Sequence, residues 1–317
     1  MNIAPPVETT ATKPKAHFIR SRLFLGLAGL CLLLWGIKAI HRATQPKYQG
    51  KTTAEWFAEA QFETHDHYFP GIETFETMPS ALALKAMGTN GVALLWNEYR
   101  HGESRLWTGL RAEVRALFGN RSPIIYSNER AYYLLLWLGP EARQLVPQLL
   151  QQVDSAKGQD RREALELLAS IHSEPELVIP KLIPIFQDEN HATWFRFQAA
   201  DTIAAYGQQA GICLPMFRQS FAYPKADAWF KRDAALSILR IAGQGQAEAE
   251  YLVNLAANRD TDWSSFFERY KEKLGPVAIQ LVPHMVVFSG TLTNSADSNA
   301  VMKVVKELDP QGSHHKP

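Results

Sequence analysis

A small group of potential metal ligands lies in the segment THDHYF, where His65 and His67 flank Asp66. Imidazole and carboxylate groups bind Zn²⁺, but a protein zinc site takes its ligands from fixed elements, commonly with a second pair elsewhere in the chain. This polar connector has no obvious second cluster to join it. We therefore expect a solvated loop and no metal, and we expect His314 and His315 in the polar tail to be inert.

Candidates for nucleophilic catalysis are equally few. Cys213 precedes the apolar Leu214 at the predicted start of a helix, and a free cysteine in such a place is most often a small buried hydrophobe. No Gly-x-Ser-x-Gly, Walker-type loop, dinucleotide fingerprint or His-Glu-x-x-His motif occurs. Acidic pairs such as Glu268 and Glu272 have the i,i+4 spacing of a solvated helix face. The sequence thus predicts a protein that is not an enzyme and needs no cofactor.

Three tryptophans recur at regular spacing: Trp194, Trp229 and Trp263 are 35 and 34 residues apart, in TWFRF, AWFKR and DWSSF. They could pack between structural repeats, the interpretation that we favour. Alternatively they could form an exposed row that binds a partner, since Trp is enriched at binding hot spots. That row is the best candidate for a functional surface.

The tryptophan spacing belongs to a wider repeat. Six helix-end positions, five of them glycine, follow one another at intervals of 51, 33, 35, 36 and 32 residues: Gly88, Gly139, His172, Gly207, Gly243 and Gly275. Small residues stand eight positions before most of them, and Leu or Ile four before, which places both on one face of a helix. Glycine in a left-handed conformation would end this helix. At His172 we expect a helix cap and no catalyst.

A second helix follows each of these ends. Proline lies eight residues after the end position at Pro147, Pro180, Pro215 and Pro283, and apolar residues stand seven and ten after it. Because proline is tolerated in the first turn of a helix, we expect each one to lie in the first turns of the second helix, after a tight turn. Each unit of roughly 34 residues is thus predicted to be a helical hairpin that buries its apolar faces only by stacking.

The segments RFQAADTIAAYG and RDAALSILRIAG resemble the Arg-x-x-Ala…Leu/Ile-x-x-x-Gly signature of HEAT repeats, with Arg161, Arg196 and Arg232 in the arginine place. LGPEARQLVPQLL is similar to the turn and second helix of such a repeat. The segment YQGKTTAEW also resembles the region that leads into the repeats in HEAT-type proteins of environmental bacteria. The resemblance implies an all-α chain, a HEAT/armadillo-like α-solenoid of five to six hairpins.

The N-terminal region predicts a membrane anchor. Leu23 to Ile37 contains no charged residue, and counting through Ile40 gives 18 residues, close to the ~20 of a spanning helix. A cleaved signal peptide or a helix on the lipid surface would also fit. Basic residues lie on both sides of the run, so orientation is weakly specified. We expect a short cytoplasmic N-terminus, one transmembrane helix in the inner membrane, and a soluble part that is exported or periplasmic.

These observations predict a basic tail (1–22), an anchor (23–40), a linker with a leading helix (41–71), repeats (72–290), a cap helix (291–309) and a flexible tail (310–317). An extra helix, Ser104 to Gly119, is predicted between the first two hairpins. Beyond residue 42 the chain holds 27 basic and 31 acidic residues, a balance that disfavours nucleic acid as a partner.

The predicted function is a scaffold or adaptor that binds another protein along the stack. In HEAT-type proteins the second helices usually line the concave side. This adds exposed second-helix residues to the three tryptophans as candidate contacts: Arg143, Gln144, Lys181, Gln187, Arg218 and Gln219. Two alternatives remain. Some HEAT-like proteins are lyases that attach bilin chromophores to phycobiliproteins, and an envelope protein could use the tryptophans to contact polysaccharide or lipid.

Overall fold

The computed structural model describes residues 46–60, 72–102, 127–257 and 263–312. This part of the chain is mostly helical, and neighbouring helices pack on one another, which confirms the all-α prediction at that level. The predicted anchor at 23–40, the THDHYF segment, the extra helix at 104–119 and the tail histidines lie outside the described residues.

Where the connections between consecutive helices lie within the described residues, they are short. Their bounds are α1 Thr53–Glu59, α2 Ile72–Thr77, α3 Pro79–Ala86, α4 Thr89–His101, α5 Ser127–Leu138, α6 Val146–Ser155, α7 Gln159–Ile171, α8 Pro175–Gln187, α9 Thr193–Ala205, α10 Leu214–Ala222, α11 Ala228–Ala242, α12 Gln246–Ala257, α13 Trp263–Leu274, α14 Val282–Thr291 and α15 Ser295–Leu308. Three 3-10 helices precede α6, α10 and α14, at Gly139–Leu145, Gly207–Cys213 and Gly275–Leu281.

A small antiparallel hairpin, which the sequence analysis did not predict, precedes α1. Strand β1 (Lys47–Tyr48) pairs with β2 (Lys51–Thr52) around Gln49 and Gly50, both at positive φ. The Trp56 indole in α1 donates to the carbonyl oxygen of Tyr48 at 3.0 Å. The hairpin is therefore hydrogen-bonded to α1.

The predicted helix ends are confirmed. All six positions have positive φ, from 50° to 73°, so each one turns the chain. Glycine adopts this conformation freely, whereas His172, at φ 50° and ψ 29°, is a non-glycine residue in the left-handed region. Its backbone N–H donates to the carbonyl of Leu168, which makes it the cap of α7. The spacing of these residues thus marks real bends.

The predicted place of the prolines is correct in three units and wrong in one. Pro147, Pro215 and Pro283 are each the second residue of their helix. Pro180 instead lies inside α8, which starts at Pro175. In the other three units a seven-residue 3-10 helix begins at the glycine, where we expected only a tight turn, and the second helix follows it. In this unit α8 begins three residues after His172, so Pro180 falls inside the helix.

The first helices of successive units contact one another in order, from α5 through α7, α9 and α11 to α13. Each second helix contacts the first helix of the next unit, as in α6 with α7 and α8 with α9. Side chains at the small and Leu/Ile positions are at most 4 % exposed. These are Ser80, Ala131, Ala164, Ala199, Ala235, Leu84, Leu135, Leu168, Ile203 and Leu239.

Within the described ranges, one continuous helical stretch, Phe267–Thr291, is long and apolar enough to cross a membrane on length and composition, with a mean hydropathy of 1.3. It comprises the C-terminal part of α13, a 3-10 helix and α14. Gly275, at φ 54°, bends the chain within it, and Leu281 and Met285 are buried in the helical core. The stretch is folded as the last helical pair of the series.

The end of the series is closed by α15, which packs on α13 and α14. It buries Val301, Val304 and Val305 and turns Lys303 and Lys306 to solvent. This helix, Ser295–Leu308, lies within the range 291–309 that the sequence analysis assigned to a cap helix.

Candidate functional site

Two of the three recurring tryptophans lie at the surface. Trp194 in the first turn of α9 is 46 % exposed, and Trp229 in the first turn of α11 is 42 % exposed. More than half of each side chain is nevertheless covered by the protein, so packing between repeats, the interpretation that we favoured, stays a prediction beside the exposed row. Trp263 is the first residue of α13, and its side chain is outside the described set.

The phenylalanine that follows each of these two tryptophans packs against neighbouring side chains. Phe195 is only 3 % exposed, and Phe230 packs on the Phe186 ring with centroids 5.4 Å apart. Both phenylalanines also lie under an arginine of the previous unit. The guanidinium of Arg161 is 4.5 Å from the Phe195 centroid, and that of Arg196 is 4.8 Å from the Phe230 centroid. At the start of both helices the tryptophan is thus exposed, and the phenylalanine beside it packs against the protein.

A cleft of ≈ 430 Å³ lies beside Trp194. Its lining comes from the start of α7 and the start of α9: Gly158, Gln159, Arg162, Glu166, Trp194 and Gln198. Gly158 has φ 58° and open space where a Cβ would stand, so the backbone there leaves the mouth of the cleft clear. The cleft combines one large ring, one ion pair and two amide side chains.

Glu166 is held in place by two donors. The Arg162 Nε donates to its Oε1 at 2.8 Å, and the Tyr132 hydroxyl donates to its Oε2. Burial, together with the neighbouring Glu166 carboxylate, raises the pKa of Tyr132 far above its usual value. Tyr132 therefore stays protonated and remains a donor. The Glu166 side chain is thus held as an acceptor by these two donors.

A second tyrosine–glutamate pair lies next to it. Tyr99 in α4 donates to Glu163 at 2.9 Å and accepts from the buried Gln152 amide at 3.1 Å. The rings of Tyr99 and Tyr132 stack with centroids 6.0 Å apart. Burial, followed by the Glu163 charge, raises the pKa of Tyr99 as well. The network joins α4, α5, α6 and α7 next to the cleft.

The predicted second-helix contacts lie at different places along their units. Arg143, Gln187, Arg218 and Gln219 are exposed as expected, but they are distributed from the turn end to the far end of the second helices. Gln144 is partly buried, and its amide donates to the carbonyl of Thr89 at 3.1 Å. Lys181 is exposed but forms an ion pair with Asp154 at 3.1 Å. Gln144 and Lys181 therefore form contacts within the protein itself.

Arg143 lines a more open depression of ≈ 590 Å³ at the turn end, with Lys85, Trp137 and Glu141 among its neighbours. Lys85 pairs with Glu141 at 2.8 Å and lies 5.3 Å from the Trp137 ring centre. The hydrogen bond from Lys85 lowers the pKa of the Glu141 carboxyl. Arg143 is the candidate contact residue that projects here.

The remaining chemical candidates have structural places. Cys213 is 1 % exposed, and burial raises the pKa of its thiol, so it is the buried hydrophobe that the sequence predicted. The described residues contain no group of three or more His, Cys, Asp or Glu side chains that could hold a metal ion. Comparison with protein-family models, with characterised proteins and with solved structures gives no match.

Proposed function

We propose that this chain is a non-catalytic scaffold: a HEAT-type α-solenoid, tethered to the inner membrane through residues 23–40, that binds a partner protein along its stack. The observation that carries the proposal is the pair Trp194 and Trp229, 46 % and 42 % exposed at corresponding places in neighbouring units. Large exposed aromatics held on rigid helix ends are the residues that anchor protein interfaces.

Two features support the solenoid. Helix ends recur at 32 to 36 residues from Gly139 onward, each with a left-handed residue. Contacts join each first helix to the next first helix, and each second helix to the following unit, which is the nearest-neighbour pattern of a repeat stack. An extended stack of this kind offers a long surface and few deep pockets, which suits binding better than catalysis.

Site-specific photocrosslinking in the native host tests the partner surface. The full-length chain would carry p-benzoylphenylalanine at position 229, or at the matched control position 212. Ile212 is 79 % exposed and lies in the 3-10 helix that precedes α10. We expect a discrete adduct from position 229 that is absent from position 212 and is weakened by Trp194→Ala. Equal adducts at both positions, or an adduct at 212 alone, would exclude Trp194 and Trp229 as the surface that binds the partner.

The tether is tested separately. We expect the full-length protein to stay in the membrane pellet after alkaline extraction, and to be digested by protease added to spheroplasts. Deletion of residues 1–42 should release it. Extraction of the intact protein at alkaline pH would contradict the anchor, and protection from protease would contradict export.

A further inference from the structure

We infer that the cleft between α7 and α9 is a subsite for one neutral sugar unit of a saccharide chain. This goes beyond the proposed scaffold function and does not depend on a protein partner. The cleft volume of ≈ 430 Å³ falls within the range of small-molecule sites, roughly 300–1,000 Å³. Its open mouth suits a unit within a longer chain better than an isolated, fully enclosed ligand.

The charge balance of the lining favours a neutral ligand. Arg162 and Glu166 are the charged residues of the lining, and they neutralise each other at 2.8 Å. The other polar side chains, Gln159 and Gln198, are amides. A phosphate or an acidic peptide would need a net positive lining, and a basic peptide would need a free carboxylate. Neither condition is met.

The polar groups are placed for hydroxyl recognition. Within the described residues, the Gln198 amide and the two terminal nitrogens of Arg162 have no hydrogen-bond partner in the protein. Glu166 is fixed by Tyr132 and Arg162 and keeps further acceptor capacity. Planar side chains that offer paired donors or acceptors match the adjacent hydroxyl groups of a sugar ring.

The apolar part of the cleft completes this match. A pyranose has a C–H face that lacks hydroxyl hydrogen-bonding groups, and this face packs on a flat aromatic ring, whose large surface supplies the contact. Trp194 is the ring in this lining, and nearly half of its surface is available. One stacking face surrounded by donors and acceptors is the combination that a neutral sugar requires.

The next groove along the stack provides an internal control. Beside Trp229, the Arg232 guanidinium lies 4.4 Å from the ring centre. Asp201, the counterpart of Glu166, is bound by both Arg240 and Lys273. A guanidinium already lies over the Trp229 ring, where the C–H face of a sugar would stack, so Trp229→Ala should leave sugar binding unchanged.

The test is titration calorimetry and saturation-transfer NMR on the full-length protein in a detergent without a sugar headgroup. The probes are the neutral hexasaccharides cellohexaose, maltohexaose and hexa-N-acetylchitohexaose, with hexalysine and hexaglutamate as charged comparison peptides. We expect at least one hexasaccharide to bind. Trp194→Ala should weaken it about tenfold, the effect of a lost aromatic contact of about 1.4 kcal/mol. Gln198→Ala should weaken it several-fold, and Trp229→Ala should have no effect.

Trp194→Phe guards against a folding artefact, because it keeps a flat ring and should retain binding within about threefold. Circular dichroism would confirm that each variant keeps its helices. The inference is overturned if no hexasaccharide binds, if Trp194→Ala binds as tightly as the wild type, or if a charged peptide binds in preference. A failed crosslink at position 229 would count against the protein partner alone.

Discussion

The guanidinium of Arg196 lies 4.8 Å from the centre of the Phe230 ring, on the next structural unit. The same side chain reaches backwards, where its Nε donates to the carbonyl of Phe186 at 2.8 Å, at the end of α8. One arginine thus joins the second helix of one unit, its own first helix and the first helix of the next. Arg161 repeats the arrangement one unit earlier, with Phe195 and Asp154.

Arg196→Met should lower the free energy of unfolding by about 2 kcal/mol. The variant keeps the aliphatic stem but loses a charged hydrogen bond and a partly desolvated cation–π contact, each worth on the order of 1–2 kcal/mol. Urea unfolding monitored by circular dichroism measures the loss. Arg218→Met is the matched control, because Arg218 is exposed in mid-helix, and it should change stability by less than ~0.5 kcal/mol.

A double-mutant cycle with Phe230→Leu separates the two contacts of Arg196. The coupling between Arg196→Met and Phe230→Leu should be about 0.5–1 kcal/mol, since only the cation–π contact is shared. A coupling near zero would mean that the ring contributes packing alone. Equal losses in Arg196→Met and Arg218→Met would contradict the bridging role altogether.

Gly207→Ala should destabilise the protein by about 1–2 kcal/mol, because residue 207 has φ 53° and an L side chain is strained there. The added Cβ would meet only the Arg240 carbonyl at 3.9 Å, so strain and not collision is responsible. Gly211→Ala in the following 3-10 helix is the control. That position lacks a positive φ and has open space, so the change should be neutral or slightly stabilising. Thermal unfolding of both variants measures the difference, and similar behaviour would rule out the left-handed turn.

His172 gives the stability a dependence on pH. Burial, and then the charge of Arg240, lowers the pKa of His172 from 6.5. The folded state therefore favours the neutral ring, and the unfolded chain binds the proton more readily. The stability that the neutral His172 ring contributes is fully present above pH 6.5, and it is lost as the pH falls through the lower pKa of the folded state.

His172→Asn tests this link, because asparagine tolerates the left-handed conformation but does not titrate. The stability difference between pH 7.5 and pH 5 should be smaller in the variant, by less than ~1 kcal/mol, since the ring is partly exposed. Chemical unfolding at the two pH values measures it. An unchanged or larger pH dependence in the variant would show that His172 is not responsible.

The sequence predicted the helix ends because left-handed residues and buried small residues recur at fixed offsets, and these are set by local backbone geometry and packing. Pro180 was misplaced because a proline eight residues after a helix end does not fix where the next helix begins. That helix can start just before the proline or, as α8 does, several residues earlier. The three 3-10 helices were missed for a similar reason. Ala142, Ala210 and Ala278, each three residues after a glycine and fully buried, were the signal that could have revealed them.

The candidate site was less predictable because it depends on contacts between units. The tryptophan spacing was visible, but exposure of Trp194 follows from Phe195 taking the buried place beside it. Glu166 appeared to be an ordinary helix-face residue, and only the distant Tyr132, 34 positions away, makes it a fixed acceptor. Periodicity reveals which positions correspond, whereas the partner of each side chain depends on the particular neighbouring unit.

Asp201 joins three consecutive first helices and supplies a last prediction. Its carboxylate in α9 accepts from Arg240 in α11 at 2.8 Å and from Lys273 in α13 at 3.1 Å. Asp201→Asn should cost about 1 kcal/mol at low salt, more than a single surface pair, because the variant leaves two cations facing each other.

The salt dependence of the stability lost in Asp201→Asn shows whether that loss is electrostatic. In 1 M NaCl the Debye length falls to about 3 Å, so the cost of Asp201→Asn should shrink by roughly half. Asp154→Asn is the control, because within the described residues Asp154 forms an ion pair with Lys181 alone, and both side chains are 56 % exposed. That change should cost less than ~0.5 kcal/mol. If the two variants lose the same stability, or if the Asp201→Asn loss is insensitive to salt, charge does not link α9, α11 and α13.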